Sequence, residues 1–430
     1  MNQLSIRFSS ESLISFSYFL FFSLIFIFPI FGSIDKVGAQ IFYLSLINTF
    51  YFLHLLFNYK KYLKPFFFSK INISFILFLI SCLISFFWSY NIIESVVKFS
   101  YWFNVYISFF ISSILFRNLS LKYVSLLITA FAVIHLSLIL SDYLNIINNT
   151  IFNFEYSNYL KGLASNKNIS SALIFFSIPF LIISALYLKN YIYSTFIFIL
   201  SFLSFYFILA SSSRSVFIAV ASSCVFIFIF YFFIRIIKIN FNYKSFFKPI
   251  FIFFFIPLFS AYTIFNSTNL NQSDVDLSNR ITTINTDDTS TSNRLRFYNH
   301  ALNQVLSHPF MGVGLGNWKF KSIESDYTEI RGYIVPYHVH NDFLEIATEL
   351  GLIGFLSYLS IFLISVFFLF YFALKSNSLT ELLIYLFLGI FIFSYFIDAN
   401  LNFPHARLIQ QFYLVIFLSF IANKSLNKID

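Results

Sequence analysis

Charge is what this sequence has least of. Asp, Glu, Lys and Arg make up 10% of its 430 residues, where a soluble domain carries roughly 25%. With 59% hydrophobic residues beside that deficit, a soluble globular chain is excluded and a polytopic membrane protein is expected. Cysteine is nearly absent. Cys82 and Cys224 both lie inside apolar runs, so neither a disulfide framework nor a cysteine zinc cluster is available. The first apolar run has no small-residue cleavage site and reads as a retained helix, not a signal peptide. No internal repeat and no terminal soluble domain is visible.

What is present is long apolar stretches. About 20 apolar residues cross a bilayer, and the chain offers twelve candidates: 12–32, 37–57, 70–90, 97–116, 121–141, 168–188, 191–210, 214–237, 247–265, 343–373, 379–397 and 406–422. Sidedness follows from Lys and Arg in the loops. With the N-terminus inside, the inner segments hold 15 of the 27 basic residues and three acids, so the inner face is +12 and the outer face −3, which make up the net +9. The basic excess is therefore topology and needs no nucleic-acid partner. The expected division is spans one to nine in 1–265, with an outer loop at about 142–167. A large outer segment at 266–342 and spans ten to twelve in 343–430 follow. Most spans carry no charge, so a mid-membrane ion pathway is not expected.

The unusual residues gather at the outer span ends. In KGLASNKNISSAL (161–173), Asn166 and Asn168 suit a helix cap, the alternative being a contact with sugar or phosphate. In ASSSRSVF, Arg214 either reaches lipid headgroups or grips a phosphate with its planar fork. TSNRLRFYNHALNQVLSHPFMGVGLGNW (291–318) opens with a helix capped at Ser292 or Asn293 and running to about Leu306. Leu295, Tyr298, Ala301, Leu302 and Val305 form its apolar face. Arg294 lies at the edge of that face and is the better site candidate; Arg296 falls on a polar face and reads as solvated. Pro309 ends the helix. Gly312, Gly314 and Gly316 make a tight turn or let backbone approach a ligand, but no strand–turn–helix unit makes them a nucleotide fingerprint.

HVHNDFLEIATELGLIGFLSYL (338–359) is the most informative stretch. Asp342 and Glu345 fit a capping box for span ten. His338 and His340 are left over. Zinc needs a third ligand, for which Glu345 or Glu349 is in reach. A histidine facing a wet cleft is placed to act as a general base, and His340 is the better candidate. In DANLNFPHARLIQQ (398–411), Pro404 breaks the chain, and His405 and Arg407 either face the same cleft or anchor the hairpin at the interface. Asp287 and Asp288 sit in a Ser/Thr/Asn-rich stretch and read as solvated loop.

Arginines hold a diphosphate without a metal, and a histidine beside them takes a proton from an incoming hydroxyl. The order of motifs carries a resemblance as well. Arg214 follows span seven, and Ser292, Arg294 and Tyr298 form S-x-R with an aromatic at +4. H-P-x-x-G-x-G-x-G-N-W follows at 308–318, then H-x-H-N-D-F-L-E-x-x-x-E-x-G-x-x-G at 338–354. This order resembles the O-antigen ligase and polymerase superfamily over about 205–360, and the twelve-span layout is similar across the chain. The resemblance implies an all-α, GT-C-like glycosyltransferase of the bacterial inner (cytoplasmic) membrane, with cytoplasmic termini. It would move glycan from undecaprenyl diphosphate at the periplasmic face in one inverting displacement, with no metal and no cofactor.

The resemblance also assigns roles. His340 matches the essential histidine, and Arg214 and Arg294 match the arginines that hold the diphosphate. His338, Asn341, Glu345, Asn166, Gly314, Gly316 and Arg407 complete the expected substrate-binding set, with membrane lipid around it. Lipid A-core is the first expected acceptor, as for a ligase. A repeat-unit polymerase and a protein glycosyltransferase need a similar site, so both stay open. A transporter of lipid-linked glycan would need a polar path that these spans lack.

Overall fold

A computed structural model describes residues 9–27, 36–57, 69–149, 154–164, 166–237, 251, 255–263, 289–327 and 337–426. Among these the chain is helical and has no strand. The main helices are α1 (Ser10–Ser23), α2 (Lys36–Phe57), α3 (Lys70–Ile84), α4 (Ile92–Leu115), α5 (Leu121–Asn149), α6 (Lys167–Leu188), α7 (Tyr191–Ser211), α8 (Arg214–Ile237), α9 (Thr289–Ser307), α10 (Trp318–Asp326), α11 (Asp342–Lys375), α12 (Leu379–Leu401) and α13 (Leu408–Leu426).

Nine of the described helices are long and apolar enough to cross a membrane: α2, α3, α5 to α8 and α11 to α13. Twelve were expected, and the other three differ for separate reasons. The first, Ser10–Phe26, is apolar but short. α4 is long but carries Glu94, Lys98 and Asn104 among its apolar residues. The stretch 247–265 is described only in part, at 251 and 255–263.

The bundle has a clear centre. In α6 and α13, 89% of the most apolar window is buried, against 28% in α2 and α8. α6 packs on α5, α7 and α12, while α11 packs on α3 and α12 and α13 lies along α4. Lipid is as apolar as the side chains, so contact geometry, not water exclusion, holds helices together. Aromatic rings supply much of that contact. Phe78, Trp102 and Tyr358, from α3, α4 and α11, meet at centroid distances of 4.9–5.8 Å. Buried serines donate to their own helix, as Ser113 does to the Phe109 carbonyl at 2.7 Å. This satisfies such hydroxyls in an apolar interior, although Ser112 and Ser125 are buried without that partner.

Outside the spans, α9 and α10 share a small core of Phe297, Ala301, Trp318 and Val339, against which Tyr298 and Leu344 pack. α9 starts at Thr289, earlier than the expected cap, and its packed face differs from the expected one. Leu295 and Leu302 are 44% and 47% exposed, whereas Phe297 and Ala301 are buried. The packed face is 294, 297, 298 and 301, a helical i, i+3, i+4, i+7 row. It turns Arg294 toward the start of α11.

Candidate functional site

The polar network begins where α11 is broken. Gly351 has φ 64° and ψ −166° inside α11, a conformation open to glycine. The break frees backbone groups, and the loop 309–316 takes them. Val313 donates its N–H to the Thr348 carbonyl at 3.0 Å, Gly314 to the Glu349 carbonyl at 2.9 Å, and Leu352 to the Pro309 carbonyl at 2.8 Å. Gly312 has φ 69°, and a side chain there would collide with the Glu349 carbonyl. The two glycine motifs are thus halves of one joint. Gly314 and Gly316, expected near substrate, have local packing reasons for being glycine: added Cβ atoms would meet Ser89 at one and Glu94 and Lys98 at the other. Asn317 ties the same loop to the start of α4, accepting from the Asn91 N–H at 2.7 Å and donating to Ser95 Oγ at 3.0 Å.

That joint brings α4 and its Lys98 beside the mouth of α11, where a buried chain of acids and imidazoles runs. His338 Nδ1 contacts both oxygens of Glu345, at 3.1 and 3.3 Å. Glu345 also accepts from the Val339 N–H at 3.0 Å and pairs with His405 Nε2 at 3.1 Å. His405 Nδ1 meets Asp342 at 2.6 Å, and its backbone N–H donates to the same carboxylate at 3.0 Å. Lys98 Nζ lies 3.2 Å from His405 Nε2. Asp342 and His405 are wholly buried.

Two expectations change here. Asn341, not Asp342, is the N-cap of α11, accepting from the Leu344 N–H at 3.0 Å; Asp342 and Glu345 instead make the buried pairings. His405 does not face the cleft openly but anchors the 404–406 turn inside. His338, Glu345 and His405 place ligand atoms within 4.8 Å of one another, so beside His338 and the expected Glu345 it is His405 of the last hairpin, not His340, that would complete a zinc set. The Lys98 ammonium already brings positive charge to that point.

Phe403 is the hub of the exposed side. His338 stacks on it at 4.2 Å, His340 meets it edge-on at 4.9 Å, and the Arg407 guanidinium lies 4.0 Å from its centroid. Tyr298 donates its hydroxyl to the His340 carbonyl at 3.0 Å and the Asn400 carbonyl at 3.2 Å, pinning His340 at φ 63°, a left-handed conformation uncommon outside glycine. Burial pushes the His340 imidazole down to about 4, and the charges of Arg294, His338 and Arg407 add to this. Burial also lowers His338, with the Glu345 carboxylate pulling the other way. Arg407 is pushed down to about 10 by burial, opposed by Asp398 and Asp342. For His405 burial again works against the charged form, but Asp342 and Glu345 outweigh it and raise the imidazole to about 9.

Because the folded value of His405 lies above its unfolded value near 6.5, its contribution is complete below about pH 6.5 and is lost as pH rises through about 9. The thermal midpoint of the purified protein in detergent is expected to fall across that window, and His405→Gln to flatten the fall. An equal fall in the variant would remove His405 as the cause.

The remaining expected residues are distributed as follows. Asn166 caps α6, accepting from the Ile169 N–H at 3.0 Å. Beside it Lys167 donates to Ser157 at 2.7 Å. Arg214 opens α8, and its neighbour Ser215 accepts from Asn402 at 2.9 Å, which ties that helix start to the Phe403 hairpin. Arg296, expected as solvated, pairs with Asp326 at 2.8 Å, joined by His300 at 3.2 Å. Phe403 and Lys98 were not foreseen: one reads as an ordinary aromatic, the other as a stray cation at a span end.

By helix count and composition this is a multi-pass membrane protein. It carries a histidine–carboxylate network and an arginine-edged mouth at one end of its helices. Residues 196–359 match the O-antigen ligase family, an enzyme family of the ligase and glycosyltransferase type. That stretch holds Arg214, Arg294, the 309–316 loop and the histidines; Lys98 and the 398–411 hairpin lie outside it. A Rickettsia conorii protein provisionally named a polysaccharide ligase is 34% identical over 74 residues, 16% of this chain and 18% of that protein. The match thus spans less than a fifth of that relative's length.

Proposed function

We propose that this protein transfers glycan from undecaprenyl diphosphate to a hydroxyl of lipid A-core, at the periplasmic face of the bacterial inner membrane. In this reading the chain crosses the membrane twelve times with both termini in the cytoplasm, and the transfer is metal-independent. The observation that carries it is the meeting of His338, His340 and Arg407 on Phe403, with the Arg294 charge acting on His340; His338, His340 and Arg294 lie inside the segment that matches the O-antigen ligase family. Arg294 and Arg407, with Arg214 at the rim, neutralise the diphosphate as it leaves. An imidazole of the mouth takes the acceptor proton as the hydroxyl oxygen attacks the anomeric carbon from the opposite side, inverting it.

The test is the surface glycan of a deletion strain. Bare lipid A-core, with polymer stranded on undecaprenyl diphosphate, is the expected result, and restoring the gene should restore capped core. Core capped by a single repeat unit would replace the ligase reading with a polymerase. An unchanged profile would refute both for lipid A-core.

A further inference from the structure

The end of the bundle opposite the histidines holds a cavity of about 390 Å³, within the roughly 300–1,000 Å³ usual for small-ligand pockets. It is built by helices whose other ends reach the mouth. α4 carries Lys98 near its start and ends at Leu115, just before the turn 116–121 that lines the cavity. α12 has Glu381 in its first turn and Asp398 near its last residue, and α13 starts just after the His405 turn and has Lys424 in its last turn. Along α12 the two regions are about 26 Å apart. In the orientation proposed above, the cavity lies at the level of the cytoplasmic leaflet's headgroups.

Packed interiors keep few voids larger than a water molecule. Here the walls are fixed by ties that do not close the space. Asn423 donates to the Ser113 carbonyl at 2.8 Å and Ser419 to the Phe109 carbonyl at 3.1 Å, which holds α13 against α4. The lining is divided by charge. Arg117 follows α4 and Lys424 ends α13, and those two helices lie along each other. Glu381 and Tyr385 stand on α12 and Tyr187 on the adjoining α6, and the Glu381 charge acts on both phenols. Leu119, Ile384 and Phe420 add apolar surface.

Each charge has a local use. Cations suit the carbonyl ends of α4 and α13, and Glu381 completes a capping box with Ser378, which accepts from the Glu381 N–H at 3.2 Å. Those uses account for one charge at each helix end. They do not account for two cations, a carboxylate and two phenols around one space with an apolar wall. A bare anion would use the cations and be repelled by Glu381. A phosphodiester that also carries a primary ammonium uses both sets.

We infer that this cavity binds the headgroup of a zwitterionic phospholipid of the phosphatidylethanolamine type. The phosphate accepts from the Arg117 fork and from Lys424. The ammonium meets Glu381 and the faces or hydroxyls of Tyr187 and Tyr385. The glycerol and first acyl carbons rest on the apolar wall. A basic pocket between helix ends at the cytoplasmic surface is where a lipid headgroup is held, and the carboxylate selects the amine.

The test uses the purified full chain in detergent, titrated with an equimolar mixture of phosphatidylethanolamine and phosphatidylglycerol of the same acyl chains. Bound lipid is read by native mass spectrometry and, with each lipid alone, by the thermal midpoint, which rises when a ligand binds the folded state. Wild type is expected to retain phosphatidylethanolamine about fivefold better, the worth of one charge near a headgroup. Arg117→Gln combined with Lys424→Gln should weaken retention of both lipids by roughly 30-fold, two such charges being lost. Glu381→Gln keeps a capping-box side chain and should level the two lipids without lowering phosphatidylglycerol. A wild type that prefers phosphatidylglycerol, or retains neither lipid, overturns the inference, and this comparison decides even where a variant fails to fold. A monodisperse double variant that retains phosphatidylethanolamine like wild type overturns it as well. A midpoint raised as far by soluble phosphoethanolamine or inorganic phosphate as by the lipid would replace the lipid with a soluble phosphate compound.

Discussion

Arg294→Ala is expected to slow glycan transfer by about 10²–10³-fold, the loss typical of one electrostatic donor removed from a reacting centre. Arg294 shares the packed face of α9 with Phe297, Tyr298 and Ala301, and its charge acts on both His340 and Tyr298. A diphosphate held there accepts two parallel hydrogen bonds from the guanidinium fork. Arg294→Lys should therefore recover only part of the rate, because an ammonium keeps the charge and loses the fork. Arg214→Ala is expected to fall in the same range. Arg296 serves as the internal comparison: its partner is Asp326, so its loss should leave turnover within a few fold. Rates come from undecaprenyl diphosphate released by purified variants. Near-normal turnover in both Arg214→Ala and Arg294→Ala would remove the arginine clamp from the mechanism.

The second large effect is on folding. Asp342→Ala is expected to destabilise the protein by about 3–5 kcal/mol, because removing one partner of a buried ion pair strands the other in an apolar interior. His405 is wholly buried, faces Trp102 at 6.0 Å, and would keep Glu345 as its one carboxylate partner among the described residues. Asp342→Asn combined with His405→Gln should recover much of the loss, since two neutral amides hydrogen-bond without a stranded charge. Thermal midpoints and the yield of monodisperse protein in detergent report the result. A single variant as stable as wild type would mean that the pair contributes nothing to the fold.

The candidate site was legible in part. HxHND and the E-x-G-x-x-G that follows mark the helix mouth where the polar network lies, because titratable groups at the entrance to an apolar span are costly and need a reason. Arg294 was separable from Arg296 by helical spacing alone. The face of α9 was misjudged at Leu295 and Leu302, since spacing assigns them to a core that contact with α11 does not provide. Asp342 looked like a cap because an acid near a helix start is usually one; only its burial against His405 shows otherwise.

The sequence by itself determined that this is a many-helix membrane protein, because apolar runs of about 20 residues have no other stable home, and it marked out the segments that bear the polar residues. Tertiary structure decided what those residues touch. The Gly351 break is mated to the 309–316 loop through backbone groups that no side-chain pattern encodes. Lys98, Phe403 and His405 come to the mouth from helices and hairpins far away in the chain. Pairings of that kind depend on how helices pack, and packing is decided by the whole bundle at once.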